Sequence, residues 1–255
     1  MHFLPYLFFL AAYGSAIDTT SCNIPRLPSP FSPSVFLSAY KGKKAVIFHH
    51  PSLGARRTLS EEHLRVHYGH LPVTLASSNA QSYEKRESVL KDYLESHMAP
   101  ITLDKSADSL WYLFGDTLAT EDWMPLHATI NTVEEVKALQ DDPLNVWGVG
   151  GQYSGVPFHT HGPVFSESVL GRKRWYVSPP QHKPNFSGNV TTLSWVTSGG
   201  PLREVHMQAC TAEEGDVLYL PLDWWHATLN LSPYNAFTST FTKEHPPQRT
   251  PTAEL

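Results

Sequence analysis

The chain has 255 residues, 41% hydrophobic and 17% charged, which excludes a disordered or fibrous protein and leaves room for one large domain or two small ones. Its 24 Asp and Glu against 19 Lys and Arg give a formal net charge of −5, without the basic excess that binding a phosphate backbone demands, so no nucleic-acid partner is expected. Twenty-one Pro, 15 Gly and 12% aromatics favour a strand-rich domain with many turns and speak against a helical bundle.

Phe3 to Ala12 is almost wholly apolar and leads into Tyr13-Gly14-Ser15-Ala16, with small residues where a signal peptidase cuts, so residues 1–16 read as a cleaved signal peptide. That run is shorter than the roughly 18 residues of a bilayer span, and no later segment reaches that length, so no membrane span is expected after cleavage. Beyond a Pro/Ser-rich stretch, Ser34 to Tyr40 is a short helix candidate ended by Gly42, and Lys44 to Phe48 reads as a strand. Ser60 before Glu61 and Glu62 has the form of a helix N-cap with acid in the first turn, running to about Tyr68, and Val73 to Ala76 reads as a strand. Tyr83 to Met98 carries Val89, Leu90, Tyr93, Leu94 and His97 at helical spacing and is expected to be a helix. From Leu110 onward, short runs bounded by Gly and Pro read mostly as strands, with a helical insertion at Thr132 to Leu139. No repeat or linker divides the chain, so residues 17–243 are read as one domain and 244–255 as a flexible tail.

Candidate chemistry lies in two places. The first is Val156-Pro157-Phe158-His159-Thr160-His161-Gly162-Pro163. On a strand, residues i and i+2 share a face, so His159 and His161 can converge on one ion; on a helix they cannot. The second runs from Gly215 through Asp216 and Pro221 to Trp224, Trp225, His226 and Asn230. A Gly-Asp turn launches a buried strand, a Pro-led turn follows, and His226 opens the next strand, which is how a double-stranded β-helix returns a third ligand across its barrel. Trp224 and Trp225 read as core and rim packing.

These stretches, Ser154 to Pro180 with Gly215 to Phe241, resemble the JmjC domain of the cupin superfamily. The resemblance implies a double-stranded β-helix, or jelly roll, preceded by an N-terminal α/β lead-in, and in active members an Fe(II) ion with 2-oxoglutarate. By that resemblance His159 and His226 are the two histidine metal ligands. Lys173 is the residue that pairs with the far carboxylate of 2-oxoglutarate, a charge-assisted contact. His161 departs from the pattern, standing where the family has Asp or Glu. The facial triad of two imidazoles and one carboxylate becomes three neutral imidazoles, a sound set for zinc or iron that leaves the ion less electron-rich. Glu167, separated from His161 by five residues, is a candidate fourth ligand of the kind used by cupins with three histidines and one glutamate. The functional expectation is a metal-holding binding or regulatory protein of the endoplasmic reticulum lumen with a protein partner. The alternative is an Fe(II)/2-oxoglutarate-dependent protein hydroxylase acting on a protein substrate.

In a secreted or lumenal chain the two cysteines, Cys22 and Cys210, can pair or remain thiols. Of three N-x-[ST] sequons, Asn185 and Asn189 lie in a Pro- and Gly-containing loop suited to glycosylation, whereas Asn230 belongs to the barrel-return motif, where its side chain is expected to hydrogen-bond inward. The terminal Thr252-Ala253-Glu254-Leu255 shares its last two residues with the KDEL type of retention signal.

Overall fold

A computed structural model describes residues 17–78, 84–98, 110–115, 120–130 and 143–242. The expected leader, the helical insertion at 132–139 and the C-terminal tail lie outside the described residues.

The strands are β1 (Arg26–Leu27), β2 (Val46–His49), β3 (Pro72–Ser77), β4 (Lys85–Val89), β5 (Trp111–Phe114), β6 (Leu144–Gly151), β7 (Val164–Leu170), β8 (Lys173–Ser178), β9 (Gln208–Ala212), β10 (Asp216–Leu220), β11 (Trp225–Asn230) and β12 (Tyr234–Phe241). They form a nine-stranded sheet in the order β1-β2-β10-β7-β12-β6-β5-β3-β4 and a three-stranded sheet in the order β11-β8-β9. The inner faces of both sheets meet in a core of Ile47, Val164, Trp175, Val177, Leu218 and Leu220. This facing pair of sheets is the jelly roll expected from the sequence, entered through α/β units. Close packing needs two glycines on β6: Gly148, beside Phe237 of the neighbouring strand β12, and Gly150, where the two sheets meet. A Cβ on Gly148 would lie 2.5 Å from the Phe237 ring, and one on Gly150 2.5 Å from Asn230 Nδ2.

Helices shield the outer faces. The first, α1 (Pro33–Ala39), starts at a proline, which supplies a helical φ without wasting a donor, and buries Phe36 against Phe48, Phe165 and Tyr219. In α2 (Leu53–Thr58) the Ser52 hydroxyl accepts from Ala55 N, and in α3 (Glu61–Tyr68) the Ser60 hydroxyl accepts from His63 N, as the N-cap reading requires. On the three-stranded sheet, α4 (Thr192–Thr197) packs Trp195 against Phe158 and Tyr176. No helix among the described residues is long and apolar enough to cross a membrane.

The expected helix from Tyr83 to Met98 is a correction. Lys85 to Val89 is a strand paired antiparallel with β3, and helical turns begin only at Leu90. Leu90, Tyr93 and Leu94 are buried as their spacing implied, but β3 presents an open edge, and satisfying its backbone groups outweighs the helical periodicity of the preceding five residues.

Cys22 and Cys210 are joined in a disulfide that ties the N-terminal segment to β9 across 188 residues of sequence. Hydrogen bonds reinforce it: Asn23 N donates to Ala209 O at 3.1 Å, and Ala209 N to Asn23 Oδ1 at 2.6 Å. A bridge closing so long a loop restricts the unfolded chain strongly, so Cys22→Ser should lower stability by about 2–4 kcal/mol in urea unfolding. Reduced wild type should match the variant; an unchanged midpoint would mean that the hydrogen bonds alone hold the segment.

Candidate metal centre

His159 and His161 lie on an extended segment, with no continuous strand around them, that runs alongside β11. His159 N donates to His226 O at 3.1 Å and His226 N to His159 O at 3.0 Å, while Thr228 N donates to Val156 O and Asn230 N to Ser154 O. The segment thus works as a fourth strand of the smaller sheet, and this pairing sets which side chains face inward. His226, Thr228 and Asn230 point into the barrel, while Trp225, Ala227 and Leu229 pack outward.

The ring nitrogens of His159, His161 and His226 come within 4.8 Å of one another. In each ring Nδ1 is bound to a backbone carbonyl: His159 to Pro157 O at 2.9 Å, His161 to Gly162 O at 2.7 Å, His226 to Trp224 O at 2.9 Å. A carbonyl only accepts, so each Nδ1 carries the proton and each neutral ring leaves a lone pair on Nε2. His226 Nε2 and His161 Nε2 are 3.0 Å apart. Two lone pairs at that distance repel unless a cation or proton lies between them. Burial opposes the proton, pulling His159 down to about 4, His161 down, and His226 well below its ordinary value. The chemistry of this donor set therefore fits a divalent metal with three neutral nitrogen ligands.

The surrounding pocket is lined by Phe114, Ser166, Lys173, Trp175, Thr228 and Phe237 among others, and no carboxylate of the described residues belongs to it. Lys173 is buried and has no hydrogen bond or ion pair among the described residues; its Nζ lies 3.1 Å from the centre of the Phe237 ring. Burial without a counter-ion holds its ammonium well below the ordinary lysine range. Trp175 Nε1 is buried in the same lining and has no acceptor among the described residues. Trp175, Thr228 and Ser239 were not singled out from the sequence. The signal for the first two was two-residue parity from Lys173 and His226.

Glu167 does not join the histidines, which corrects the fourth-ligand expectation. On β7, Val164 and Ser166 face the pocket, so Glu167 falls on the opposite face, where its Oε1 accepts from Ser52 N at 2.7 Å at the start of α2. Asn230 is buried and donates to Ser154 Oγ at 2.9 Å, whereas Asn185 and Asn189 are exposed.

A family model described as a JmjC domain matches residues 133–250. The chain is 34% identical over 236 residues to JmjC domain-containing protein 8 of Rattus norvegicus, covering 91% of this chain and 86% of that protein. Identity to the Homo sapiens protein of that name is 34% over 232 residues, covering 89% and 86%. With the human 2-oxoglutarate and iron-dependent oxygenase JMJD4 it is 25% over 195 residues, covering 67% of this chain and 46% of that protein.

The displaced Glu167 gives a pH test. Burial raises its carboxyl from 4.5 to about 7, with the Ser52 hydrogen bond pulling the other way. A raised folded pKa means that its contribution to stability is intact below the unfolded value of 4.5 and is lost as pH rises through about 7. Glu167→Gln, which can still accept from Ser52 N, should remove this decline and exceed wild type near pH 8 by on the order of 1–3 kcal/mol. Parallel unfolding curves for the two proteins from acid to alkaline pH would contradict it.

Proposed function

Because the chain belongs to the JmjC domain family, we propose that it is a metal-holding JmjC-fold protein of the endoplasmic reticulum lumen whose centre serves binding or regulation of a protein partner, in place of ordinary dioxygenase turnover. The observation that carries this reading is His161 in the carboxylate position of the triad, within a pocket that no carboxylate of the described residues lines. His159, His161 and His226 would hold the ion, zinc or Fe(II), through Nε2. Bound there, the metal supplies Lewis acidity with its full 2+ charge, since no ligand neutralises it. The lumenal part draws support from the Cys22–Cys210 disulfide and the exposed sequon residues Asn185 and Asn189.

Lys173 favours a second reading, an Fe(II)/2-oxoglutarate-dependent protein hydroxylase with an atypical triad. A buried amine without a counter-ion and the unpaired Trp175 Nε1 suit the far carboxylate of 2-oxoglutarate. In this reading Lys173 orients the co-substrate, and Phe114 and Phe237 keep water from it.

Metal analysis of protein purified without chelator, combined with 2-oxoglutarate-dependent succinate release, separates the readings. The first expects bound metal without succinate; sustained release coupled to a modified protein would replace it with the second. His161→Asp restores the carboxylate and should increase Fe(II) retention and uncoupled 2-oxoglutarate consumption relative to wild type. No gain in either would mean that the pocket has diverged beyond this residue. Enzymatic deglycosylation in heavy-oxygen water should label Asn185, Asn189 or both, and leave buried Asn230 unlabelled. Label at Asn230 would contradict its inward position, and no label at all would contradict the lumenal assignment.

A further inference from the structure

The pocket around the histidines has a volume of about 50 Å³. A water molecule needs at least about 10–15 Å³ of such space, so the pocket holds roughly three to five groups of that size. 2-Oxoglutarate, with roughly two to three times as many non-hydrogen atoms, exceeds it. One wall is the Phe237 ring, which packs on Phe114 with ring centroids 5.5 Å apart, fits against Gly148, and covers Lys173 Nζ at 3.1 Å.

Lys173, Trp175 and Thr228 line this space with donors that have no acceptor among the described residues. Lys173 Nζ and Trp175 Nε1 are buried and make no hydrogen bond. Thr228 Oγ1 accepts from Val156 N at 3.0 Å, which leaves its own proton to donate. Strand pairing gathers them: Lys173 and Trp175 alternate onto one face of β8, and Thr228 of β11 lies directly opposite Trp175. An amine donates in either protonation state, so the arrangement does not depend on the charge of Lys173. No carboxylate of the described residues opposes these donors, and three neutral imidazoles leave a divalent ion its full charge. Donor chemistry alone would suit any carboxylate; the volume separates them. We propose that the pocket binds a one-carbon oxyanion of the formate or bicarbonate class, its oxygens held by Lys173, Trp175 and Thr228, and that Phe237 excludes 2-oxoglutarate. This rests on the metal-holding reading and names what that centre binds.

The test is calorimetric titration of protein purified without chelator, with sodium formate and sodium bicarbonate as ligands, formamide as the uncharged control and 2-oxoglutarate as the size control. At least one of the two anions should bind saturably, roughly tenfold or more tighter than formamide and 2-oxoglutarate, because only a small anion both fits and supplies the charge-assisted contacts. Lys173→Met and Trp175→Phe each remove a donor and keep much of the packing, so each should weaken the anion by roughly tenfold in protein shown by thermal unfolding to be folded. Phe237→Ala should gain 2-oxoglutarate binding. The inference is overturned if wild type binds 2-oxoglutarate as tightly as the small anions, if neither anion binds, if both folded donor variants bind the anion undiminished, or if folded Phe237→Ala gains nothing. Metal content and succinate release, measured on the same sample, keep the failures apart. Bound metal without succinate and without anion binding refutes the inference alone, whereas absent metal or sustained succinate release refutes the reading it rests on and the inference with it.

Discussion

The reciprocal backbone pair between His159 and His226 governs the architecture of the site. It lays the segment from Ser154 to His161 along the free edge of β11 and makes a fourth strand of a chain that has few regular contacts of its own. Once that register is set, period-two alternation sends His226, Thr228 and Asn230 inward and their neighbours outward. A slip of one residue would turn His226 out of the barrel and put Trp225 or Ala227 in its place. Convergence of the histidines and barrel closure therefore rest on the same ladder of backbone hydrogen bonds, which runs from His159 and His226 to Ser154 and Asn230.

Carbonyls from the same segments complete the centre. Pro157 O, Gly162 O and Trp224 O lie within two residues of the histidines they orient, so each ring is aimed by its own loop. Such local control makes the Nε2 convergence a property of backbone conformation, preorganised before any ion arrives. Replacing a carboxylate with His161 then changes the charge at the centre while keeping the donors convergent.

Strand β8 carries buried cations on both faces. Lys173 points to the histidine pocket and Arg174 to the opposite face of the smaller sheet, neither with a carboxylate partner among the described residues. Desolvation acts on them differently. A lysine can lose its proton and enter the apolar pocket neutral, while a guanidinium stays charged and must gather hydrogen-bond acceptors, here from Ser21 and Thr211. The disulfide between Cys22 and Cys210 holds Ser21 close to that guanidinium. Covalent attachment of the N-terminal segment thereby serves both the sheet edge and the buried charge.

The sequence by itself determined the features that depend on local spacing. His159 and His161 at i and i+2 in extended chain share a side, Ser60 with Glu61 and Glu62 starts a helix, and the Gly215 to His226 layout brings a strand back across the barrel. Features set by distant partners were decided only in three dimensions. Lys85 to Val89 became a strand because β3 offered an unpaired edge, a fact absent from their own periodicity. Glu167 turned away from the histidines because β7 begins after the Gly162-Pro163 turn, which resets the parity of the segment before it. The cysteines could be joined only once β9 and the N-terminal segment lay side by side. Spacing along a chain encodes direction within one element, whereas pairing across 188 residues depends on how all the intervening elements pack.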